Sequence, residues 1–300
     1  MNFCGRVLTI DDQEEDLEIL NHILKKSNYE TISARNGLEA LDMLDKNSAV
    51  DVIVLDRMMP KMDGMSFIRR IKEDNRFRDT PIIMQTAMNE DYQIQEGIEA
   101  GVYWYITKPF NQNMLASLVK SAYRANKRNK KISAITDFYI DSRKKFKGGM
   151  DRLNSANFCI KTIEEARDLA HTIAIAYTEP KIMVGAISEL LVNAVEHGNL
   201  GISFEEKHQL ILDGMWEDEI EYRYNMPENQ RKSVQVNLFR ENGELILKIK
   251  DDGDGFDVKP FLSFDSDRAF KANGRGIYLA SLAFNKIEYS TKGNEVTCWG

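Results

Sequence analysis

Over residues 6–123 five short apolar runs alternate with five helical patterns, and this alternation fixes the class of the first fold unit. The runs are Arg6–Ile10, Thr31–Ala34, Val52–Leu55, Ile82–Met84 and Val102–Ile106; the helical patterns are Asp16–Ser27, Leu38–Leu44, Met65–Lys72, Tyr92–Ala100 and Gln112–Tyr123. A strand followed each time by a helix predicts a five-stranded parallel sheet covered on both faces. Ligands of such sheets bind at the carboxyl ends of the strands. Those ends carry Asp11 and Asp12 after the first strand, Asp56 after the third, Thr86 after the fourth and Lys108 after the fifth. Clustered carboxylates repel one another unless a cation sits among them, and hard oxygen donors suit Mg2+, which also takes phosphate oxygens and water.

The motifs DD (Asp11, Asp12), LDRMMPKMDG (Leu55–Gly64), TA (Thr86, Ala87) and KPF (Lys108–Phe110) resemble, in order and spacing, those of response-regulator receiver domains. The resemblance covers residues 1–123 and implies a flavodoxin-like α/β fold. It implies that Asp56 accepts a phosphoryl group from a histidine kinase or phosphotransfer protein. Asp12 and Asp56 then hold Mg2+, the Met58 carbonyl completes the site, Asp11 joins through water, and Thr86 and Lys108 bind the phosphoryl oxygens. Tyr105, three residues before the lysine, is the aromatic that swings inward. A hydroxyl and an ammonium can follow the charge and acceptor oxygens that phosphorylation adds. The stretch VYWYIT departs from the receiver pattern at Tyr103 and Trp104, which are expected to face solvent as part of an output surface, the alternative being that they fold onto the neighbouring helix.

Residues 124–149 read as a connector. Leu115, Leu118, Ala122, Ala125, Asn129, Ile132, Thr136 and Tyr139 succeed one another at about helical spacing, so the last helix of the first domain is expected to run on as a helical linker, a weak coiled coil that pairs two copies into a homodimer. The basic residues Arg124, Lys127, Arg128, Lys130 and Lys131 are followed by no recognition-helix pattern and read as a solvated face. Gly148 and Gly149 mark a break before the second domain.

In residues 150–300 the stretch GAISELLVNAVEHGN (Gly185–Asn199) is an apolar helix with an unusual number of polar groups. Ile187, Leu190, Leu191, Ala194 and Val195 form its buried stripe, and Glu189 and Asn193 share one face, four residues apart. An amide oxygen such as that of Asn193 suits Mg2+ among phosphates, and Glu189 one turn away can act as a base. A strand at Asn157–Ile160 and a helix at Ile163–Tyr177, interrupted at Pro180, precede this stretch. A charged segment from Ile202 to Gln230, helical in its middle and too polar for core, comes after it. The strands Val234–Phe239 and Leu245–Lys250 flank an Asn242-Gly243 hairpin turn. In DDGDGFD (Asp251–Asp257), Gly253 and Gly255 allow close backbone approach to a flat ligand, and Asp251 can accept from an exocyclic amine such as that of adenine. Gly274 and Gly276 open a helix whose free N–H groups favour phosphate.

The ExxxNA box (Glu189–Ala194), the DxGxG box (Asp251–Gly255) and the second glycine pair (Gly274, Gly276) resemble the GHKL or Bergerat-type ATPases. The resemblance implies an α+β ATPase sandwich over residues 150–300 that binds ATP and Mg2+. Asn193 then holds Mg2+, Asp251 reads adenine, and the Gly274–Gly276 turn covers the phosphates. NAVEHGN is most similar to anti-sigma-factor serine kinases, which bind a sigma factor or phosphorylate a STAS-domain antagonist. On that resemblance Glu189 is the general base. The other reading is a module that uses ATP only to shape a surface and sequesters a sigma factor or other partner without phosphoryl transfer. His22, His171, His197 and His208 lack the neighbours of a phosphoacceptor histidine.

Composition excludes other classes. A formal net charge of −7 argues against general nucleic-acid binding. No apolar run approaches the roughly 18 residues that span a bilayer, and the N-terminus enters a strand at once, so a cytoplasmic location is expected. Cys4, Cys159 and Cys298 lack metal-ligand spacing and read as reduced thiols.

Overall fold

The computed structural model describes residues 3–46, 49–74, 76–86, 91–109, 111–127, 149, 152–262, 265 and 276–300. The chain forms two compact units, one built on Met1–Ser133 and the other on most of the remaining chain. Among the described residues no helix is long and apolar enough to cross a membrane. The greater part of the expected linker lies outside the described residues, as does Gly274.

The first unit alternates β1 (Arg6–Ile10), α1 (Glu14–Lys26), β2 (Glu30–Ala34), α2 (Gly37–Lys46), β3 (Val52–Asp56), α3 (Gly64–Glu73), β4 (Ile82–Thr86), α4 (Asp91–Glu99), β5 (Trp104–Thr107) and α5 (112–127). The sheet is parallel with order β2-β1-β3-β4-β5. The winding therefore reverses between β1 and β3, and the crevice at that reversal receives Asp11 and Asp12 from one strand and Asp56 from the other. The apolar stripe of α1, Leu17, Leu20, Ile23 and Leu24, is buried, and the Asp63 carboxylate caps α3 by accepting from Ser66 N at 2.7 Å.

Trp104 does not face solvent. It is 1% exposed in the core formed with Val7, Leu20, Val54, Ile83, Leu115 and Leu118. Strand alternation explains the correction: Trp104 and Ile106 join that cluster, while Tyr105 between them points to the opposite face, toward α4. An aromatic side chain buries about 150–250 Å², which at about 25 cal/mol per Å² contributes on the order of 4–6 kcal/mol. Tyr103 is half-buried, its hydroxyl 3.5 Å from that of Ser121. Helix α5 continues past Tyr123 to at least residue 127; Ala122 and Ala125 are buried, and Asn126 Nδ2 donates to the Asp51 carbonyl at 2.6 Å.

The second unit carries an antiparallel sheet of order β6-β7-β8-β10-β9, from β6 (Ser155–Ile160), β7 (Val234–Glu241), β8 (Glu244–Asp251), β9 (Lys286–Tyr289) and β10 (Glu295–Trp299). Val234, Val236 and Leu238 of β7, Leu245, Leu247 and Ile249 of β8, and Val296 and Cys298 of β10 share one core with α6 (Ile163–Ala174) and α7 (Pro180–Asn193). Asn242 at φ 52° and Gly243 at φ 86° make the left-handed pair of a tight hairpin turn between β7 and β8. Thr162 and Glu165 form a reciprocal capping box on α6.

Two expectations need correction here. Pro180 does not interrupt a helix but begins α7, where a missing N–H costs nothing. The charged segment after Asn199 is not wholly outside the core: it folds into α8 (Phe204–Asp213), α9 (Trp216–Tyr224) and α10 (Pro227–Gln230), with Ile202 and Ile220 buried and Trp216 and Tyr224 packed beside them. The last helix, α11, spans Gly276–Ala283.

Candidate functional site

At the carboxyl edge of the parallel sheet, Lys108 Nζ lies 2.7 Å from Asp11 Oδ2, 2.9 Å from Asp56 Oδ1 and 2.7 Å from Asp16 Oδ2. The remaining oxygens are also held, Asp11 Oδ1 by Gln13 N at 3.0 Å and Asp56 Oδ2 by Met58 N at 2.8 Å. Asp11 is fully buried; burial pushes its carboxyl above the usual range, and the hydrogen bond from Lys108 offsets only part of that. Burial alone would lower the Lys108 ammonium, but its bonds to Asp11, Asp16 and Asp56 outweigh it and hold the proton well above the usual lysine value. Asp12 is half-buried beside them, and Thr86 is buried at the end of β4, its carbonyl accepting from Lys108 N at 3.1 Å. The sheet thus gathers Asp11, Asp12, Asp56, Thr86 and Lys108 at one edge. Three carboxylates share one ammonium, with Asp12 next to Asp11 in sequence, and hard anionic oxygens of this kind suit a divalent cation. Asp12, Asp56 and the Met58 carbonyl would hold Mg2+, which would neutralise charge on a phosphoryl group.

Sequence reasoning missed a set of contacts onto α4. Tyr105 is 1% exposed and its hydroxyl donates to the Ile94 carbonyl at 3.3 Å. Gly97 makes room for it, since a Cβ there would lie 1.7 Å from the Tyr105 hydroxyl. From the other side Arg57, the neighbour of Asp56, is buried and donates to the Gln93 carbonyl at 3.0 Å and to Glu96 at 3.3 Å. Glu96 also pairs with Arg69. A buried arginine one residue past a strand-end aspartate was the available signal, because a buried guanidinium demands acceptors.

In the second unit α7 ends at Asn193, and the chain continues as one π-helical turn, Ala194–Asn199. Such turns are rare overall and are frequent at functional sites. Gly198 lies against Asp251: a Cβ there would stand 2.4 Å from the Asp251 Cγ. Gly253 approaches in return, its Cβ position 2.2 Å from the Gly198 carbonyl oxygen, and Gly253 N donates to Asp251 Oδ1 at 2.8 Å. Asn199 Oδ1 accepts from Asp252 N at 2.9 Å. Gly255 has φ 81° and a Cβ position 1.9 Å from the Lys292 carbonyl oxygen. The steric need for glycine at 253 and 255 is therefore already set within the chain, by Gly198 and Lys292.

Asp251 is 8% exposed, and burial pushes its carboxyl up to about 6, more than its bond from Gly253 offsets. A carboxylate with four lone-pair positions keeps acceptor capacity for an exocyclic amine. Asn193 is half-buried and Glu189 exposed, and the Glu189 carboxylate lies over Gly276, whose Cβ position is 2.1 Å from Oε2. Around Asp251 the chain thus sets a wide turn and two close-packed glycines, with the Asn193 amide and the Glu189 carboxylate one helical turn apart on α7. Glu196 and His197, to which the sequence assigned no chemistry, are turned inward: Glu196 is fully buried, accepting from Lys207 and Trp216, and His197 Nδ1 lies 2.5 Å from the Ile202 carbonyl oxygen.

Residues 7–120 match the family model of the response regulator receiver domain, and residues 160–299 match that of the histidine kinase-like ATPase domain. Chemotaxis protein CheY1 of Helicobacter pylori is 34% identical over 111 residues, 37% of this chain and 90% of that protein. Sensor histidine kinase CheAY of the same organism is 36% identical over 119 residues, 39% of this chain but only 15% of its own length. The solved structure of chemotaxis response regulator CheY4 of Vibrio cholerae is 31% identical, covers 39% of this chain and 98% of that one, and has a TM-score of 0.38. The chain belongs to the response regulators, a receiver domain followed in the same polypeptide by a histidine kinase-like ATPase domain.

Proposed function

We propose that phosphorylation of Asp56 controls an ATP-dependent serine/threonine protein kinase carried by the same chain, acting on a STAS-type antagonist or a related sigma-factor partner. The domains are assigned as a receiver at 1–123, a linker at 124–149 that pairs two copies, and the kinase domain at 150–300. In the first step an Asp56 oxygen attacks the phosphorus of a phosphohistidine; the O–P bond forms, the P–N bond breaks, and the imidazole leaves with a proton. Lys108, already within 2.9 Å of Asp56, and Thr86 then hold the new phosphoryl oxygens.

In the second step Glu189 takes the proton of a serine or threonine hydroxyl as that oxygen bonds to the γ-phosphorus and ADP departs. Asp251 receives the adenine amine and Asn193 supports Mg2+. The observation that carries this reading is the placement of Glu189 one turn before Asn193, with its carboxylate over Gly276 at the start of α11. A base beside the phosphate end and away from the adenine end is what transfer to an incoming protein hydroxyl needs.

Incubation with Mg-ATP and candidate STAS-domain proteins tests it. Phosphoserine or phosphothreonine on the partner, lost in Glu189→Ala with nucleotide binding retained, is the expected result. A stable complex without any phosphorylated product would replace the kinase by a module that sequesters its partner. Labelling by acetyl phosphate that persists in Asp56→Asn would show that the phosphoacceptor has been misassigned.

A further inference from the structure

The π-helical turn at the end of α7 has two sides. On one it adjoins Asn193 and packs Gly198 and Asn199 against Asp251 and Asp252. On the other it is tied to the next helices of the chain. Glu196 Oε2 accepts from Lys207 Nζ of α8 at 2.5 Å, and Oε1 accepts from Trp216 Nε1 at the start of α9. Arg223 of α9 donates to the Leu200 and Gly201 carbonyls at 3.1 and 2.9 Å and pairs with Glu206 and Glu219. Lys232, beyond α10, donates to the Asn199 carbonyl at 2.8 Å. None of these groups is used in binding nucleotide or in the chemistry assigned above. A fully buried carboxylate is costly to desolvate and is held only by good geometry. The geometry here is a fork that fixes one carboxylate on a residue of α8 and a residue of α9 at once.

We propose that Glu196 is a positioning residue that couples nucleotide occupancy to the helices α8–α10, making them the element of the ATPase domain that reports whether the site is filled. The inference rests on nucleotide binding at Asn193 and Asp251. A ligand drawing on Asn193 and Asp251 bears on both ends of a six-residue turn whose hydrogen-bond register is not that of a regular α-helix. Any shift of that turn moves the Glu196 carboxylate, and with it Lys207 and Trp216. Coupling of this kind is reciprocal: if nucleotide orders the helices, releasing the helices weakens nucleotide by the same factor.

Hydrogen exchange of the full chain, with and without saturating Mg2+ and a non-hydrolysable ATP analogue, tests the proposal. Amides over 204–230 are expected to slow by about fivefold or more, the lower range of typical coupling factors. In Glu196→Gln that slowing should disappear while the analogue still binds, with its Kd raised by the same factor; a merely structural role would speed exchange equally with and without analogue. Trp216→Phe and Lys207→Met, each removing one arm of the fork, supply the same comparison if Glu196→Gln does not fold. Exchange over 204–230 that ignores a bound analogue in the unaltered chain, or a full response in the fork variants, overturns the coupling. Failure of the unaltered chain to bind the analogue overturns the nucleotide reading and the coupling together.

Discussion

Replacing Gly97 with alanine puts a methyl carbon 1.7 Å from the Tyr105 hydroxyl and 3.0 Å from its ring Cζ. Ordinary contact begins at 3.4 Å, so the hydroxyl has to retreat by about 1.7 Å. The retreat breaks the 3.3 Å bond to the Ile94 carbonyl, a loss of about 1 kcal/mol. Overpacking around a buried ring adds about 1–3 kcal/mol, and alanine in mid-helix returns about 1 kcal/mol of propensity. The net expectation is a destabilisation of about 1–3 kcal/mol. Tyr105→Phe alone costs about 1 kcal/mol for the lost bond. With Tyr105→Phe already in place the closest approach relaxes to the ring carbon, the propensity gain remains, and Gly97→Ala becomes nearly neutral. The two substitutions are thus expected to couple by about 1–3 kcal/mol in a double-mutant cycle. Hydrogen exchange at the slowest amides of β4 and β5 measures each corner within the receiver alone, so the second domain does not confound the reading. A coupling below about 0.5 kcal/mol, the usual value for independent sites, or a stabilised Gly97→Ala, would refute the idea that Tyr105 is held inward through Gly97.

Asp251 accepts most strongly from adenine when ionised, and its carboxyl is pushed up to about 6; nucleotide affinity should therefore fall, by up to about tenfold, between pH 7 and pH 5. Over that window the folded chain holds a proton that an unfolded carboxyl, at about 4, does not, so Asp251's contribution to stability rises as pH falls while affinity drops. A calorimetric titration across pH whose affinity slope survives Asp251→Asn would sink the assignment. Gly198→Ala drives a methyl into the Asp251 carboxylate, 2.4 Å from Cγ, and should weaken nucleotide by at least about tenfold; unchanged affinity would mean that the carboxylate is not held there for the ligand. Arg57→Met removes two bonds to α4 and should speed exchange of α4 amides by about tenfold while acetyl-phosphate labelling of Asp56 continues. Slow α4 exchange in that variant would remove Arg57 from the path between Asp56 and α4.

The receiver was legible because its signals are local. Short continuous apolar runs mark the strands, and the residue ending each strand is brought to one edge by topology alone, so Asp11, Asp56, Thr86 and Lys108 could be placed together without coordinates. Asp16 was not legible as a partner of Lys108, since its role depends on how the first turn of α1 leans over the sheet edge. Trp104 was misplaced for a related reason: an aromatic after a glycine at the start of a strand carries no mark of which face it takes until β4 and α5 are packed around it. In the ATPase domain Glu189, Asn193 and Asp251 stand out by motif, but Glu196 looks like any helical glutamate. Its burial comes from Lys207 and Trp216, 11 and 20 residues later, inside a segment whose charge suggested a solvated surface. The glycines show the same limit, since sequence can say that a side chain is excluded at 253 or 255 but not that a backbone carbonyl is what excludes it.

The wide turn at Ala194–Asn199 also has a consequence for phase. An α-helix advances about 100° per residue, and a turn closed by i→i+5 bonds advances less per residue, so the extra residue of this wide turn is absorbed without putting the chain beyond it out of phase with α7. Within that turn Gly198 lies against Asp251 while Glu196 reaches Lys207 and Trp216. The width of the turn therefore works together with the glycine at 198 and the carboxylate at 196: it gives one short segment room to meet Asp251 on one side and the helices beyond on the other.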